Sequence, residues 1–158
     1  MLSAGLAHYG CPLADMYIDT VSFAMEPEVR KLSVSIQRSA AEAYEFLSRP
    51  ENFPKWASGL GASLRPAGED WVVETPQGPA TVRFSEPNSY GVLDHQVLLP
   101  GCAPVYVPLR VVAAGERCEL VLTLFRRAGM SEEKFAADAE WVMRDLHKAK
   151  RILEGGLP

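Results

Sequence analysis

Ser39-Ala-Ala-Glu-Ala-Tyr-Glu-Phe-Leu-Ser-Arg-Pro-Glu-Asn-Phe-Pro-Lys-Trp56 is the stretch on which the fold turns. Ser39 stands where a helix N-cap belongs, and Glu42 follows three residues later, the spacing of a capping box. Behind that cap, Ala43, Phe46 and Leu47 recur at helical spacing. The helix must stop before Pro50, because a residue preceding proline disfavours the helical region. Residues 51–58 then read as a second short helix that presents Phe53 and Trp56, with Pro54 forcing an irregular start.

Upstream, residues 29–37 alternate apolar and polar side chains at Leu32, Val34 and Ile36, which is a strand with one buried face. Downstream of Gly59, residues 60–65, 71–75, 80–86, 90–99, 105–113 and 117–127 are six further strand candidates. Proline, glycine and asparagine turns separate them, among them Pro66-Ala-Gly68, Pro87-Asn-Ser89 and Ala114-Gly115. Connections this short predict antiparallel neighbours. The last strand has the cleanest face, with Cys118, Leu120, Leu122 and Leu124 on one side. A long helix closes the chain. Ser131 caps it, Glu132 and Glu133 suit the positive end of its dipole, and Phe135, Ala139, Val142, Leu146, Ala149 and Leu153 form its apolar stripe. Lys148, Lys150 and Arg151 complement its other end, and Gly155-Gly156 stops it.

Composition narrows the class. A length of 158 residues suits one domain with a sizeable core, and 47% hydrophobic residues argues against a wholly disordered chain. The apolar runs are broken within a few residues, so nothing spans a bilayer. With 16 basic and 20 acidic side chains, a net charge of −4, there is no reason to expect nucleic acid or an anionic membrane surface as partner. Cys11, Cys102 and Cys118 are odd in number and widely spaced, which fits neither a disulfide framework nor a Cys-x-x-Cys site. They read as reduced thiols of a cytoplasmic protein, with Cys118 a small core residue. Residues 1–28 lack the basic start and apolar core of a secretory signal and keep no periodicity, so they read as an appended segment, partly ordered at best. Met25 is an alternative start, and Tyr9, Tyr17, Ile18 and Phe23 are able to dock on the domain. That domain is expected over 29–154, with 155–158 as a tail.

The order is thus strand, two short helices, six strands, long helix. It predicts an α+β fold in which a seven-stranded antiparallel sheet curls around the C-terminal helix and the short helices plug one end. A cavity is expected between plug, helix and sheet. This order, the opening helix with its Pro50-Glu51-Asn52 link and Trp56, the strand Glu119-Leu-Val-Leu-Thr-Leu-Phe125 and the closing helix resemble the START-like, or SRPBCC, superfamily. That superfamily includes birch-pollen allergens, polyketide cyclases and lipid-transfer domains, and the resemblance covers roughly residues 29–154. It implies a helix-grip fold. It also implies binding of a small hydrophobic molecule (lipid-like, aromatic or polyketide-like) in an internal cavity, or a cyclase/dehydratase-type enzyme, or an interaction module similar to chaperone ATPase activators. No shared catalytic motif comes with it. Pro108 departs from the pattern: it lies in a strand the superfamily places centrally, where its missing N–H breaks the ladder, and a bulge is expected there.

Among residues able to carry chemistry, His95 leads. Leu93, His95, Val97 and Leu99 share the more apolar parity, which turns the imidazole toward the concave side and Asp94 away from it unless a bulge reverses the order. There it would exchange a proton near neutral pH or bond a ligand carbonyl; a satisfied structural histidine is the other reading. Arg110, if inward, would anchor a carboxylate or enolate oxygen, but Tyr106 and Val112 share its parity and either set of that strand can be the buried one. In the enzyme reading His95 is acid or base, and Arg110 or Tyr106 steadies an oxyanion. Tyr44, Trp56, Trp71 and Phe84 are candidate aromatic walls, and Val142 of the helical stripe joins them as a ligand contact; each also reads as plain core. Trp141 lies off that stripe between Asp138 and Asp145 and would mark a contact with residues 1–28 or with a second subunit, which leaves a homodimer open. No phosphate-cradling glycine loop, His-Glu-x-x-His helix or Gly-x-Ser-x-Gly elbow is present, and the three histidines are far apart, so neither cofactor nor metal is expected.

Overall fold

The computed structural model describes residues 26–58, 64–75 and 78–156. The readings made for Tyr9, Tyr17, Ile18, Phe23 and Met25 lie outside them. The element order is β1 (Val29–Ile36), α1 (Ala40–Leu47), a 3-10 turn (Pro50–Asn52), α2 (Phe53–Trp56), β2 (Arg65–Ala67), β3 (Asp70–Thr75), β4 (Gly78–Phe84), β5 (His95–Leu98), β6 (Val105–Val107), β7 (Leu109–Ala114), β8 (Arg117–Phe125) and α3 (Glu132–Leu153). The architecture is α+β, with antiparallel sheets gripping the long C-terminal helix.

The capping box forms as its spacing dictates. Ser39 Oγ accepts from the Glu42 N–H, and Glu42 accepts from the Ser39 N–H at 3.1 Å. Those bonds to Ser39 hold the Glu42 carboxyl below its ordinary pKa. The short helix read over 51–58, with an irregular start, is a 3-10 turn followed by one turn of α-helix, because Pro50 and Pro54 each occupy a first-turn position where no N–H is needed. The Asn52 amide donates to the Phe46 carbonyl at 2.9 Å and fastens this corner to α1.

β1 pairs with β8 along its whole length, from Val29↔Phe125 to Ile36↔Cys118. α3 is 22 residues, about 33 Å, and buries Phe135, Ala139, Leu146 and Ala149. Lys150 donates to the Ser35 carbonyl at 2.7 Å and Glu154 accepts from the Gln37 N–H at 2.8 Å, which ties the end of the helix to the end of β1. Within the described residues no helix is long and apolar enough to cross a membrane.

Four expectations are corrected. The strand read at 60–65 appears as Arg65–Ala67, an edge strand that tolerates Pro66; residues 59–63 lie outside the described set. The strand read at 90–99 begins only at His95. Before it, the Asn88 side chain donates to the Glu86 and Val92 carbonyls and accepts from the Tyr90 and Val92 N–H groups, holding a loop where alternation suggested a strand. Gly91 lies in that loop at φ 72°, against β7, where a Cβ would collide with the Val111 carbonyl oxygen. Cys102 is disulfide-bonded, while Cys118 is free, with its thiol pKa pushed up by burial. An odd count still admits one pair, so cysteine usage does not speak for a reducing compartment.

The fourth correction positions the site. The strand read at 105–113 is two strands, β6 and β7, broken at Pro108, which makes eight strands among the described residues in place of seven. No bulge accompanies the break. Val105, Val107, Leu109 and Val111 keep one inward parity across it, while Tyr106 and Val112 are exposed. What changes is the partner: β6 ends the sheet β2-β3-β4-β5-β6, and β7 ends the sheet β1-β8-β7. The two sheets remain joined where the Leu93 N–H donates to the Leu109 carbonyl and the Val111 N–H to that of Gly91, each at 2.9 Å. Asp94 braces the break from the outer face. Its carboxylate accepts from the Leu109 N–H at 3.0 Å and from the Tyr106 hydroxyl, and it pairs with Arg110.

Candidate functional site

Where β6 and β8 part, the core is hollow. A cavity of about 300 Å³ lies between α2, α3, β6 and the C-terminal half of β8. Its floor is Phe53 and Trp56, which the two prolines of the α2 corner aim inward. One wall is Val105, Val107, Leu122 and Leu124, the inward parity of β6 and β8; the opposite wall is Trp141, Val142 and Leu146 of α3. Asp138, Asp145 and Arg127 bring charge to its margin. Asp138 is buried and paired with Lys134, and Asp145 accepts from the Ser58 hydroxyl.

His95 reaches the cavity from β5, buried on the parity expected for it. Its ring meets Phe53 edge-on at 5.2 Å and lies 5.8 Å from Phe84. Desolvation by these neighbours pulls its pKa down to about 4, against a weaker upward pull from the Leu93 carbonyl. The ring is therefore neutral at pH 7. Its Nδ1 lies 3.5 Å from that carbonyl, and in the tautomer that carries the ring hydrogen on Nδ1 the acceptor is Nε2. A neutral histidine with this pKa offers one lone pair and one N–H, and is not a general acid at neutral pH.

Of the residues singled out in the sequence, Trp56, His95 and Val142 bring side chains to the cavity. Tyr106 lines it too, yet its hydroxyl is bound to Asp94 on the outer face. Arg110 is outward, paired with the same Asp94. His95, the acid or base of the enzyme reading, and its oxyanion groups, Arg110 and the Tyr106 hydroxyl, thus lie on opposite faces of the sheet. Tyr44 accepts from the Asn88 N–H at 2.8 Å and borders, with Phe84, a void of about 10 Å³ that holds one water at most. Phe84 stands behind Phe53, ring centroids 5.2 Å apart, and Trp71 packs half-buried on the core from β3. Trp141, expected on an open patch, is half-buried on the cavity wall with the Arg144 guanidinium 4.9 Å from its ring centroid. Asp138, Trp141, Val142 and Asp145 do recur at steps of three and four; their two carboxylates hide that stripe from a reading by hydrophobicity alone. Among the described residues no cluster of His, Cys, Asp and Glu is arranged to hold a metal ion.

No protein-family model matches the chain, and no curated protein matches it in sequence. Solved structures do match in shape. The Aha1 dimer from Colwellia psychrerythraea superposes with a TM-score of 0.63 at 12% identity, covering 83% of this chain and 99% of that one. A START superfamily protein from Mycobacterium smegmatis gives 0.57 at 14% identity, over 80% and 94%. The Zhui aromatase/cyclase from Streptomyces sp. R1128 gives 0.53 at 15% identity, over 83% and 99%. Identities this low speak for architecture and not for activity. With its sheets closed on a long C-terminal helix and two short helices after the first strand, the chain has the START-like helix-grip fold.

Proposed function

We propose that the protein binds a small hydrophobic molecule, lipid-like, aromatic or polyketide-like, in the cavity beneath α3. The observation that carries this reading is the hollow itself: a well-packed interior has few voids larger than a water, whereas this one keeps about 300 Å³ between apolar walls. Trp56, Val142 and the β6 and β8 side chains supply contact area, and His95 Nε2 supplies an acceptor for a ligand hydroxyl. Binding is favoured over cyclase-type catalysis because Arg110 and the Tyr106 hydroxyl are engaged by Asp94 on the outer face, and a His95 pKa of about 4 suits neither a general acid nor an effective base near pH 7.

Native mass spectrometry of the full chain, with Nile red displacement by alkyl and aryl ligands, tests the reading. Displacement at micromolar ligand, and at least tenfold weaker dye binding by Val142→Trp, are expected. A dye that never binds, or binds Val142→Trp as well as wild type, overturns it.

A further inference from the structure

The cavity is lined by consecutive residues, 104–107 on one side and 122–125 on the other. Successive side chains of a strand face opposite sides of a sheet, so a cavity bordered by all of these residues reaches the facing strand edges at the split between β6 and β8. Register shows what the split exposes. The Thr123 N–H donates to the Pro108 carbonyl at 3.0 Å, the last rung between these strands; two residues further on, Tyr106 stands opposite Phe125. The Arg126 N–H bonds the Glu28 carbonyl in β1's direction, so Phe125 turns its peptide groups the other way, toward β6. Leu109 and Val111 bond the 91–93 segment, so Tyr106 turns its own toward β8. Among the described residues no ladder joins β6 to β8. Pro108 adds one more open acceptor, because it has no N–H to offer the Thr123 carbonyl.

We infer that this split holds the polar end of the ligand, and that the group it holds is a carboxamide, with its C=O and N–H side by side, bonded by the main chain of Tyr106 and Phe125. The inference rests on the cavity reading above. A carboxamide placed there does what a paired strand would do: its oxygen accepts from a peptide N–H and its nitrogen donates to a peptide carbonyl. The balance of groups sets the selectivity. The carbonyls of Thr123, Tyr106 and Phe125 outnumber the N–H groups of Tyr106 and Phe125, so a ligand must bring a donor. A carboxylate brings none and would also meet Asp138 and Asp145 at the cavity margin, with Arg127 as the counterweight.

Nonanamide, methyl nonanoate and nonanoate share one chain and differ only at the polar end. In Nile red displacement at pH 8 the amide is expected to bind about tenfold tighter than the ester and tighter still than the carboxylate. In ¹⁵N-labelled protein the amide signals of Tyr106 and Phe125 are expected to shift downfield and to gain exchange protection with nonanamide. Equal affinities for amide and ester, a carboxylate that binds tightest, or unmoved Tyr106 and Phe125 signals overturn this inference and leave the cavity reading standing. Failure of all three ligands to displace the dye overturns both.

Discussion

The two halves of β8 differ in their partners. From Cys118 to Leu122 the strand is flanked by β1 on one side and β7 on the other, and Cys118 and Leu120 are wholly buried. Past the Thr123–Pro108 bond, at Leu124 and Phe125, it keeps β1 and loses its other neighbour, and Leu124 lies half-buried on a cavity wall. The inward alternation of leucines runs unbroken through both halves. Hydrophobic pattern therefore decides which side chains turn inward, while pairing decides whether they meet a core or a hollow.

Cavity-forming substitutions should separate the halves most widely. Leu120→Ala removes side-chain atoms from a closed environment and is expected to cost about 3 kcal/mol. Leu124→Ala removes them from a wall that already faces space, and is expected to cost about 1 kcal/mol. Urea unfolding at pH 7.5 measures both. Equal losses would mean that the open half is packed as tightly as the closed one.

Protons probe the same hollow from β5. His95 has a folded-state pKa of about 4 against 6.5 unfolded, so between those values the unfolded chain binds the proton and the folded one does not. Stability contributed by the neutral ring is fully present above pH 6.5 and is lost as pH falls toward 4, by up to about 3 kcal/mol. His95→Leu should flatten the stability profile across that window and leave it unchanged above pH 7. A variant as acid-sensitive as wild type would show that water reaches the ring and that the burial is not maintained.

Much of this was legible in the sequence, and the limits are specific. β1, α1, β8 and α3 each bury one face, so period and caps located them; His95 was placed inward by the parity of Leu93, Val97 and Leu99, and Trp56 by its place in the short helix after Pro50. Tyr90 to Asp94 continue an alternating pattern, yet Asn88 captures the backbone of Tyr90 and Val92 through its side chain, which no periodicity registers. Arg110 and Tyr106 were ambiguous because both parities of 105–112 carry apolar residues, and only the Asp94 carboxylate fixes which one faces out. Pro108 announced a broken ladder. Which strand would then lose its partner is a long-range matter, set by how far β5 and β8 stand apart.

Asp94 offers a smaller effect at the brace itself. Asp94→Ala strands the Leu109 N–H beside the break and is expected to cost about 2 kcal/mol. Asp94→Asn keeps an oxygen for that N–H and should cost less than half as much, since the half-exposed Arg110 pair is screened by water. Thermal unfolding of the two variants distinguishes them. If Asn is as damaging as Ala, the ion pair and not the backbone bond braces the split.

Pro108→Ala should change stability least and structure most. The alanine restores an N–H opposite the Thr123 carbonyl, worth about 1 kcal/mol, and returns roughly as much freedom to the unfolded chain, so the two nearly cancel. The rung it completes draws β6 toward β8, and the Tyr106 and Phe125 amides should then exchange at least tenfold more slowly in the absence of ligand. Unchanged stability with slowed exchange and weakened dye binding is the expected combination. It would separate the proline's effect on the hollow from any effect on folding. Slowed exchange with dye binding intact would instead place the hollow's opening elsewhere than in the split, and the difference between the two halves of β8 would then be one of pairing alone.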